Sequence, residues 1–243
     1  MLSRRLSLSL PACATALCVS LATQAQASTL LVTGTSVVYP SNPAVTASLH
    51  LSNPATNYSS VYVSPQYLTG TLDGNAVNLF AYCVDILDPS GPGTFNVVSL
   101  LDYLNGNTTK YNQIAAVIAA AGGPVNKYSD AAAQAAIWEL MYETSPFGAS
   151  TGSFRIDNVR NDPTLIADTN SLLLQAQDNA GGTGSNLQLY VAKNSTKQDM
   201  LFWNRSAVPE SSSWAMMLLG FGGIGLQMRR QRSISLRRLP QVA

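Results

Sequence analysis

The stretch "AVNLFAYCVDIL", residues 76–87, is apolar on both sides of a strand. Successive side chains of a strand point to opposite faces. The two faces here carry Phe80, Tyr82, Val84 and Ile86 on one side, and Leu79, Ala81 and Cys83 on the other. A strand that is apolar on both faces is covered on both, as in the middle of a sheet. The pattern predicts a central strand that places Cys83 inside the core or at its rim.

The segments around this strand predict an α+β fold. Before it come the β-rich segments 28–39, 44–52 and 59–70, and Asp73-Gly74 predicts a hairpin turn into it. After it come three predicted helices: from Thr108 or Thr109 to Ala121, from a cap at Ser129 through residue 143, and from Asp162-Pro163 to about Asn179. The segments 186–194 and 199–204 predict a C-terminal β-hairpin. We therefore expect a β-rich N-terminal part, a barrel or a sandwich, with a helical insertion or subdomain of about three helices.

The second of these helices, "SDAAAQAAIWELMYE" at residues 129–143, carries a carboxamide on its apolar stripe. Gln134, Ile137, Trp138 and Met141 fall at i, i+3, i+4 and i+7, and such a stripe faces a core. An unpaired buried amide costs a few kcal/mol. Gln134 therefore either has a hydrogen-bond partner or does not remain a free amide.

Residues 1–27 have the features of a secretory signal peptide. Arg4 and Arg5 form a basic start, an apolar run follows, and Ala25-Gln26-Ala27 is a small-x-small cleavage site. An uncleaved N-terminal anchor is the alternative. We expect one exported domain over residues 28–204.

The other end has a polar linker at 205–213 and, over 214–243, a short apolar helix with a basic cytoplasmic tail. A short motif, a marginal membrane helix and an arginine cluster in this order resemble the PEP-CTERM sorting tail of Gram-negative exported proteins. Val208, Pro209 and Glu210 match the Val-Pro-Glu-Pro motif of that family, and Ser211 stands where it has its second proline. The resemblance implies cleavage by an exosortase near the motif. A plain C-terminal membrane anchor is the alternative.

The charge of the exported part argues against a nucleic-acid partner. Residues 28–210 carry all 13 acidic residues and seven of the 14 basic ones, a net charge of about −6. Nucleic-acid binding requires a basic face, which this composition does not supply.

Cys83 is the one cysteine outside the signal peptide, because Cys13 and Cys18 precede the cleavage site. A lone cysteine in an exported chain is intermolecular, buried and inert, or reactive. Structural zinc needs about four Cys or His ligands, and His50 is the chain's one histidine, so we expect no metal and no cofactor. His50 falls on the polar face of its strand, which disfavours a Cys-His hydrolase.

A thiol beside a glutamine side chain can attack the amide carbon and expel ammonia, which leaves an internal thioester. The segments around Cys83 and Gln134 resemble the Cys and Gln segments of bacterial thioester domains, known from Gram-positive surface adhesins. The matching residues are Tyr82, Cys83, Val84 and Asp85 in the first segment, and Gln134, Ala136, Ile137 and Trp138 in the second. Ala133 stands where the adhesins usually have threonine.

The resemblance implies that a Cys83–Gln134 thioester captures a nucleophile on a surface polymer or a cell, in adhesion or biofilm attachment. Asp85, Glu139 and Glu143 are the acids that could relay a proton, with a solvated surface carboxylate as the alternative for each. Tyr82 and Trp138 support the site, Trp138 by core packing. Such a domain reacts once, so we expect no enzyme.

The partners implied are the surface nucleophile, the exosortase and secretion machinery, and the membrane before processing. The chain would be exported through the inner membrane, anchored transiently, and then lie at the cell surface or outside the cell. Two alternatives stay open. Cys83 is an inert buried thiol and Gln134 bonds to backbone near it or to Asp85, which makes the protein a non-reactive surface or matrix scaffold; or the chain is a secreted hydrolase with an acid pair.

Overall fold

The structure, a computed structural model, describes residues 28–39, 44–121, 123–182 and 187–205. The predicted signal peptide, the sorting motif and the C-terminal helix lie outside these residues. In chain order the elements are β1 (Ser28–Val37), β2 (Thr46–Ser52), β3 (Ala55–Tyr62), β4 (Gln66–Leu72), β5 (Asn75–Cys83), β6 (Gly93–Ser99), α1 (Leu100–Tyr103), α2 (Thr108–Ala121), α3 (Lys127–Tyr142), β7 (Phe154–Arg160), α4 (Leu165–Asp178), β8 (Leu187–Lys193) and β9 (Met200–Arg205).

The strands form a closed barrel and a small separate sheet. The barrel order is β1-β4-β5-β9-β8-β6, and the three-stranded sheet has the order β3-β2-β7. All paired strands are antiparallel. The α+β prediction is confirmed, the barrel is the form that its β-rich part takes, and β8 and β9 pair as the predicted C-terminal hairpin.

The hairpin between β4 and β5 follows from its turn residues. Asp73 has φ +49° and Gly74 has φ +83°, and Leu72 pairs with Asn75 across the turn. Two positive φ angles are those of a type I′ turn, for which Asp-Gly is a preferred pair. The turn fixes the β4–β5 register, and β5 pairs with β4 and β9 in the closed barrel, where its last three residues, Ala81 to Cys83, are buried as predicted.

The barrel closes tightly where β1 passes β4. A Cβ atom placed on Gly70 would lie 1.8 Å from the backbone oxygen of Leu31. The β1–β4 register also shifts between Val32 and Gly34, as at a β-bulge. Glycine at position 70 is therefore required by the approach of the two backbones.

Helix α3 lies between two groups of buried side chains and is buried on all sides from Asp130 to Leu140. Ala131, Ala132, Ala135 and Trp138 pack with side chains of the barrel and of the three-stranded sheet, while Ala133, Ala136, Ile137 and Leu140 pack with α2, α4 and the other face of β5, β8 and β9. The predicted stripe does face a core, since Gln134, Ile137 and Trp138 are all buried, and the alanines let a second group pack against the rest of the helix. Gln134 is fully buried between the two groups.

Several predicted boundaries are wrong. Asn126, not Ser129, caps α3: its Oδ1 accepts the N–H groups of Tyr128 and Ser129, both at 3.0 Å. At α2, Asn107 rather than Thr108 or Thr109 provides the capping oxygen, which accepts the N–H of Lys110 at 3.0 Å.

Strand β5 ends at Cys83 instead of continuing to Ile86, and the elements β6, α1 and β7 were not predicted. No helix within the described ranges is long and apolar enough to cross a membrane.

Candidate functional site

Cys83 and Gln134, predicted to meet, are direct neighbours. Cys83 is the last residue of β5 and Gln134 lies in the middle of α3. The Gln134 Nε2 donates to the Cys83 carbonyl oxygen at 2.8 Å, and the Cys83 N–H donates to Gln134 Oε1 at 2.9 Å. The carboxamide thus pairs with both backbone polar groups of the residue that carries the thiol. This pairing satisfies three groups that would otherwise be buried without partners.

A second buried carboxamide contacts the sulfur itself. Gln66, the first residue of β4, donates its Nε2–H to the Cys83 Sγ at 3.4 Å. Sequence reasoning missed Gln66, although the hairpin register contained the signal. With Asp73-Gly74 as the turn, Gln66 pairs with Ala81, which shares a face with Cys83 two residues on.

The Cys83 thiol is held in its neutral form. Burial raises the pKa of Cys83 to about 12; the Gln66 hydrogen bond opposes this shift, and the negative charge of Asp85 adds to it. A neutral buried thiol is a weak nucleophile, because the thiolate is the reactive form. Any reaction of Cys83 therefore needs groups that favour charge on its sulfur.

A second link joins β5 to α3 beside this pair. The Tyr82 hydroxyl donates to Asp130 Oδ1 at 3.5 Å, and the Tyr39 hydroxyl donates to Asp130 Oδ2. Asp130 lies one helical turn before Gln134 on α3, and Tyr82 lies one residue before Cys83 on β5. Burial raises the pKa of Asp130, while the two tyrosine hydrogen bonds lower it. The Tyr82–Asp130 contact fixes the position of the helix against the strand.

Asp85, two residues after Cys83, is the first of the predicted acids. It is half-buried just beyond β5, and its Oδ1 accepts the Tyr142 hydroxyl at 2.9 Å and the Leu87 N–H at 2.8 Å. Its negative charge adds a smaller contribution to the raised pKa of Cys83, after burial. The Tyr142 hydroxyl also accepts the Ile86 N–H at 3.0 Å, so the loop after Cys83 is tied to the end of α3.

The other two acids have different surroundings. Glu139 is fully buried rather than solvated, its Oε1 accepts the Gly148 N–H at 2.7 Å, and burial raises its pKa to about 7. Glu143 accepts the backbone N–H groups of Ser153 and Phe154 and holds the loop before β7. The hydrogen bonds of both carboxylates in the described chain go to loop backbone, and the buried Glu139 Oε2 has no partner among the described residues.

Two further residues singled out from the sequence lie apart from the chemistry. Trp138 is 1% exposed and packs in the core that contains Cys83, and its Nε1 has no hydrogen-bond partner among the described residues. His50, on β2 of the three-stranded sheet, pairs with Asp157 at 2.8 Å and with Asn57. Within residues 28–39, 44–121, 123–182 and 187–205, no group of three His, Cys, Asp or Glu side chains could hold a metal ion.

Among solved structures, the chain is similar to the N-terminal thioester domain of a surface protein from Clostridium perfringens. The two share 14% identity with a TM-score of 0.34, over 65% of this chain and 97% of that one. No protein-family model matches the chain, and no curated protein does. The sorting-tail resemblance therefore stays a prediction, and we base the site on the contacts of this chain's own residues.

The arrangement has the parts that an acyl-transfer reaction needs. A nucleophilic atom, the Cys83 sulfur, belongs to the residue whose backbone holds a carboxamide. A backbone N–H already donates to the carboxamide oxygen, where negative charge would develop on attack at the carbon. A second N–H donates to the sulfur. The same contacts are compatible with an unreacted pair, since every polar atom of the Gln134 carboxamide has a partner.

Proposed function

We propose that this protein is an exported surface protein in which Cys83 and Gln134 form an internal thioester that captures a nucleophile on a target. The observation that carries the proposal is the two-point pairing of the Gln134 carboxamide with the Cys83 backbone. It brings an amide carbon to the one residue in the exported part that has a thiol.

Thioester formation would replace the amide nitrogen of Gln134 by the sulfur of Cys83. The Cys83 sulfur attacks the Gln134 amide carbon, the C–N bond breaks, and the thiol proton leaves with the nitrogen as ammonia. The Cys83 N–H, at 2.9 Å from Oε1, stabilises the negative charge that collects on this oxygen in the tetrahedral intermediate. Removing one such donor from an acyl-transfer enzyme typically costs about 100- to 1000-fold in rate.

Capture would reverse the roles of sulfur and nitrogen. An amine or hydroxyl of the target attacks the Gln134 acyl carbon, the C–S bond breaks, and Cys83 leaves as a thiolate that then takes up a proton. In this proposal Asp85, half-buried and two residues after Cys83, accepts the proton of the incoming nucleophile. Glu139 and Glu143 lie five and nine residues beyond Gln134 and hold the loop before β7, and this proposal gives them no such role.

Each molecule would react once, so the protein is a covalent attachment domain rather than a turnover enzyme. We place it in adhesion or biofilm attachment, with a surface polymer or cell-surface amine or hydroxyl as its partner. Export through the signal peptide at 1–27 and anchoring or exosortase cleavage at Val208-Pro209-Glu210 belong to the same proposal. They rest on the sequence of the two ends.

The second candidate is a non-reactive surface scaffold with the same fold. One observation favours it: both polar atoms of the Gln134 carboxamide have a hydrogen-bond partner while the pKa of Cys83 is raised to about 12, which is the state of a stable unreacted pair. The secreted hydrolase stays an untested alternative.

A labelling experiment separates the two candidates. The purified full chain is incubated with a biotin-bearing primary amine, and the labelled peptide is identified by mass spectrometry. We expect the label on Gln134 in the wild type, and none in Cys83→Ala, which lacks the thiol. Gln113→Glu, at a buried glutamine of α2, serves as a control that keeps the labelling. A wild-type chain that takes no label and keeps a titratable thiol would leave the scaffold as the function.

A further inference from the structure

We propose that Gln66 is a catalytic residue of the thioester chemistry, whose side-chain N–H stabilises the negative charge on the Cys83 sulfur. The proposal rests on the proposed function and adds to it the group that assists the leaving and attacking sulfur. Gln66 has no counterpart in the two motifs from which the thioester was inferred, since it lies on β4 before either of them.

The hydrogen bond from the buried Gln66 carboxamide to the sulfur stabilises the protein little unless the sulfur becomes charged. Gln66 is 9% exposed, and its Nε2 lies 3.4 Å from the Cys83 Sγ. A neutral thiol sulfur is a weak hydrogen-bond acceptor, so an N–H directed at it stabilises the resting state little. Hydrogen bonds to an ionised partner are about twice as strong as those between neutral groups. The Gln66 N–H therefore favours the thiolate over the thiol.

A preference for the thiolate assists both the opening and the formation of the thioester. When the target nucleophile attacks the thioester, the electron pair of the C–S bond moves to the sulfur, and the N–H of Gln66 meets the developing charge. When the thioester forms, the same N–H favours the deprotonated sulfur that attacks the Gln134 carbon. An interaction that is stronger with the developing charge than with the resting sulfur accelerates the step.

Gln66 is the group around the sulfur that stabilises a negative charge on it. Burial and the negative charge of Asp85 both disfavour a thiolate at position 83, and Gln66 is the group that acts in the opposite sense. The backbone of Cys83 is engaged with Gln134 through its N–H and carbonyl, so its N–H is directed at the acyl oxygen. Gln66 serves the sulfur and the Cys83 N–H serves the oxygen, and the two sites of charge have separate donors.

The test compares the rate at which methylamine opens the thioester in wild type, Gln66→Met and Gln66→Glu, with the purified full chain followed by intact mass. Methionine keeps the length and removes the donor, and we expect opening to slow about 10- to 100-fold, as for loss of one hydrogen bond to a charged group. Glutamate is nearly isosteric but places a second negative charge beside the sulfur, and we expect it to be at least as slow. Gln113→Met, at an equally buried glutamine of α2, is the matched control and should open at the wild-type rate.

A second readout isolates the sulfur from packing effects. In a Gln134→Leu background, where no thioester can form, the alkylation rate of Cys83 at one pH follows its thiolate fraction. We expect Gln66→Met to lower this rate about tenfold, which corresponds to a pKa one unit higher, and Gln113→Met to leave it unchanged. Urea unfolding of each variant identifies any general loss of stability.

The outcomes distinguish this proposal from the function on which it rests. A wild-type chain that forms the thioester, with Gln66→Met opening within twofold of its rate, overturns the role of Gln66 and leaves the thioester standing. A wild-type chain whose intact mass shows no loss of ammonia has formed no thioester. This result overturns both the proposed function and the role of Gln66 in it. If Gln66→Met does not fold, the isosteric Gln66→Glu decides by the same criterion.

Discussion

Replacing Gln134 by leucine, in a chain that already carries Cys83→Ala, measures the two-point pairing without any contribution from a thioester. Leucine fills a similar volume, so the main loss is the pair of hydrogen bonds at 2.8 and 2.9 Å. The N–H and the carbonyl of residue 83 are then both buried without partners. Each orphaned group costs about 1–3 kcal/mol, so we expect the free energy of unfolding to fall by about 2–6 kcal/mol.

The assay is urea unfolding of the double and single variants under identical conditions, followed by circular dichroism. Ile137→Leu in the same Cys83→Ala background is the matched control, because residue 137 is fully buried on the same helix and the change conserves volume. It should cost less than about 1.5 kcal/mol. A loss below about 1 kcal/mol for Gln134→Leu would show that the carboxamide does not pair with the backbone of residue 83.

Three further predictions test the surroundings of the site. Burial raises the pKa of Glu139 from 4.5 to about 7, so the folded chain holds a proton that the unfolded chain releases, and its stability falls as the pH rises from 4.5 to 7. Glu139→Gln should remove this fall and gain about 1–3 kcal/mol over wild type at pH 8, measured by urea unfolding at pH 5 and 8; parallel curves for the two proteins would refute it. Gly70→Ala should cost at least about 1–3 kcal/mol, because its Cβ would overlap the Leu31 carbonyl, and an unchanged melting temperature would exclude that close approach. Asn126→Ala should cost about 1 kcal/mol through loss of the helix cap whereas Ser129→Ala should cost less, and the reverse order in thermal melts would restore Ser129 as the cap.

The parts of the fold that were predictable are those specified by local chemistry. Asp73-Gly74 determines a turn, the turn determines the β4–β5 register, and the two apolar faces of β5 determine its central place. The closure of the barrel was not predictable, because it depends on β1 pairing with both β4 and β6 and on β9 reaching β5 from the far end of the chain. Strands β6 and β7 were missed, since their pairing comes from distant partners rather than from their own pattern.

The candidate site also has residues that could be predicted from the sequence and residues that could not. Cys83 and Gln134 could be paired from the sequence because each is chemically out of place: a lone thiol on a buried strand and a carboxamide on a buried helix. Gln66 carries no such mark in the sequence, although the hairpin register places it next to Cys83 once the turn is accepted. The tie between Tyr39 and Asp130 joins residues 91 positions apart and has no local signal at all.

The most direct measurement is a search for the bond itself. The purified full chain, never exposed to amines, is digested at acid pH, where thioesters resist hydrolysis, and the peptides that contain Cys83 and Gln134 are identified by mass spectrometry. We expect one linked species whose mass is the sum of the two peptides less one ammonia, absent from Cys83→Ala. Two separate peptides, one with a free thiol and one with an intact Gln134 amide, would contradict it.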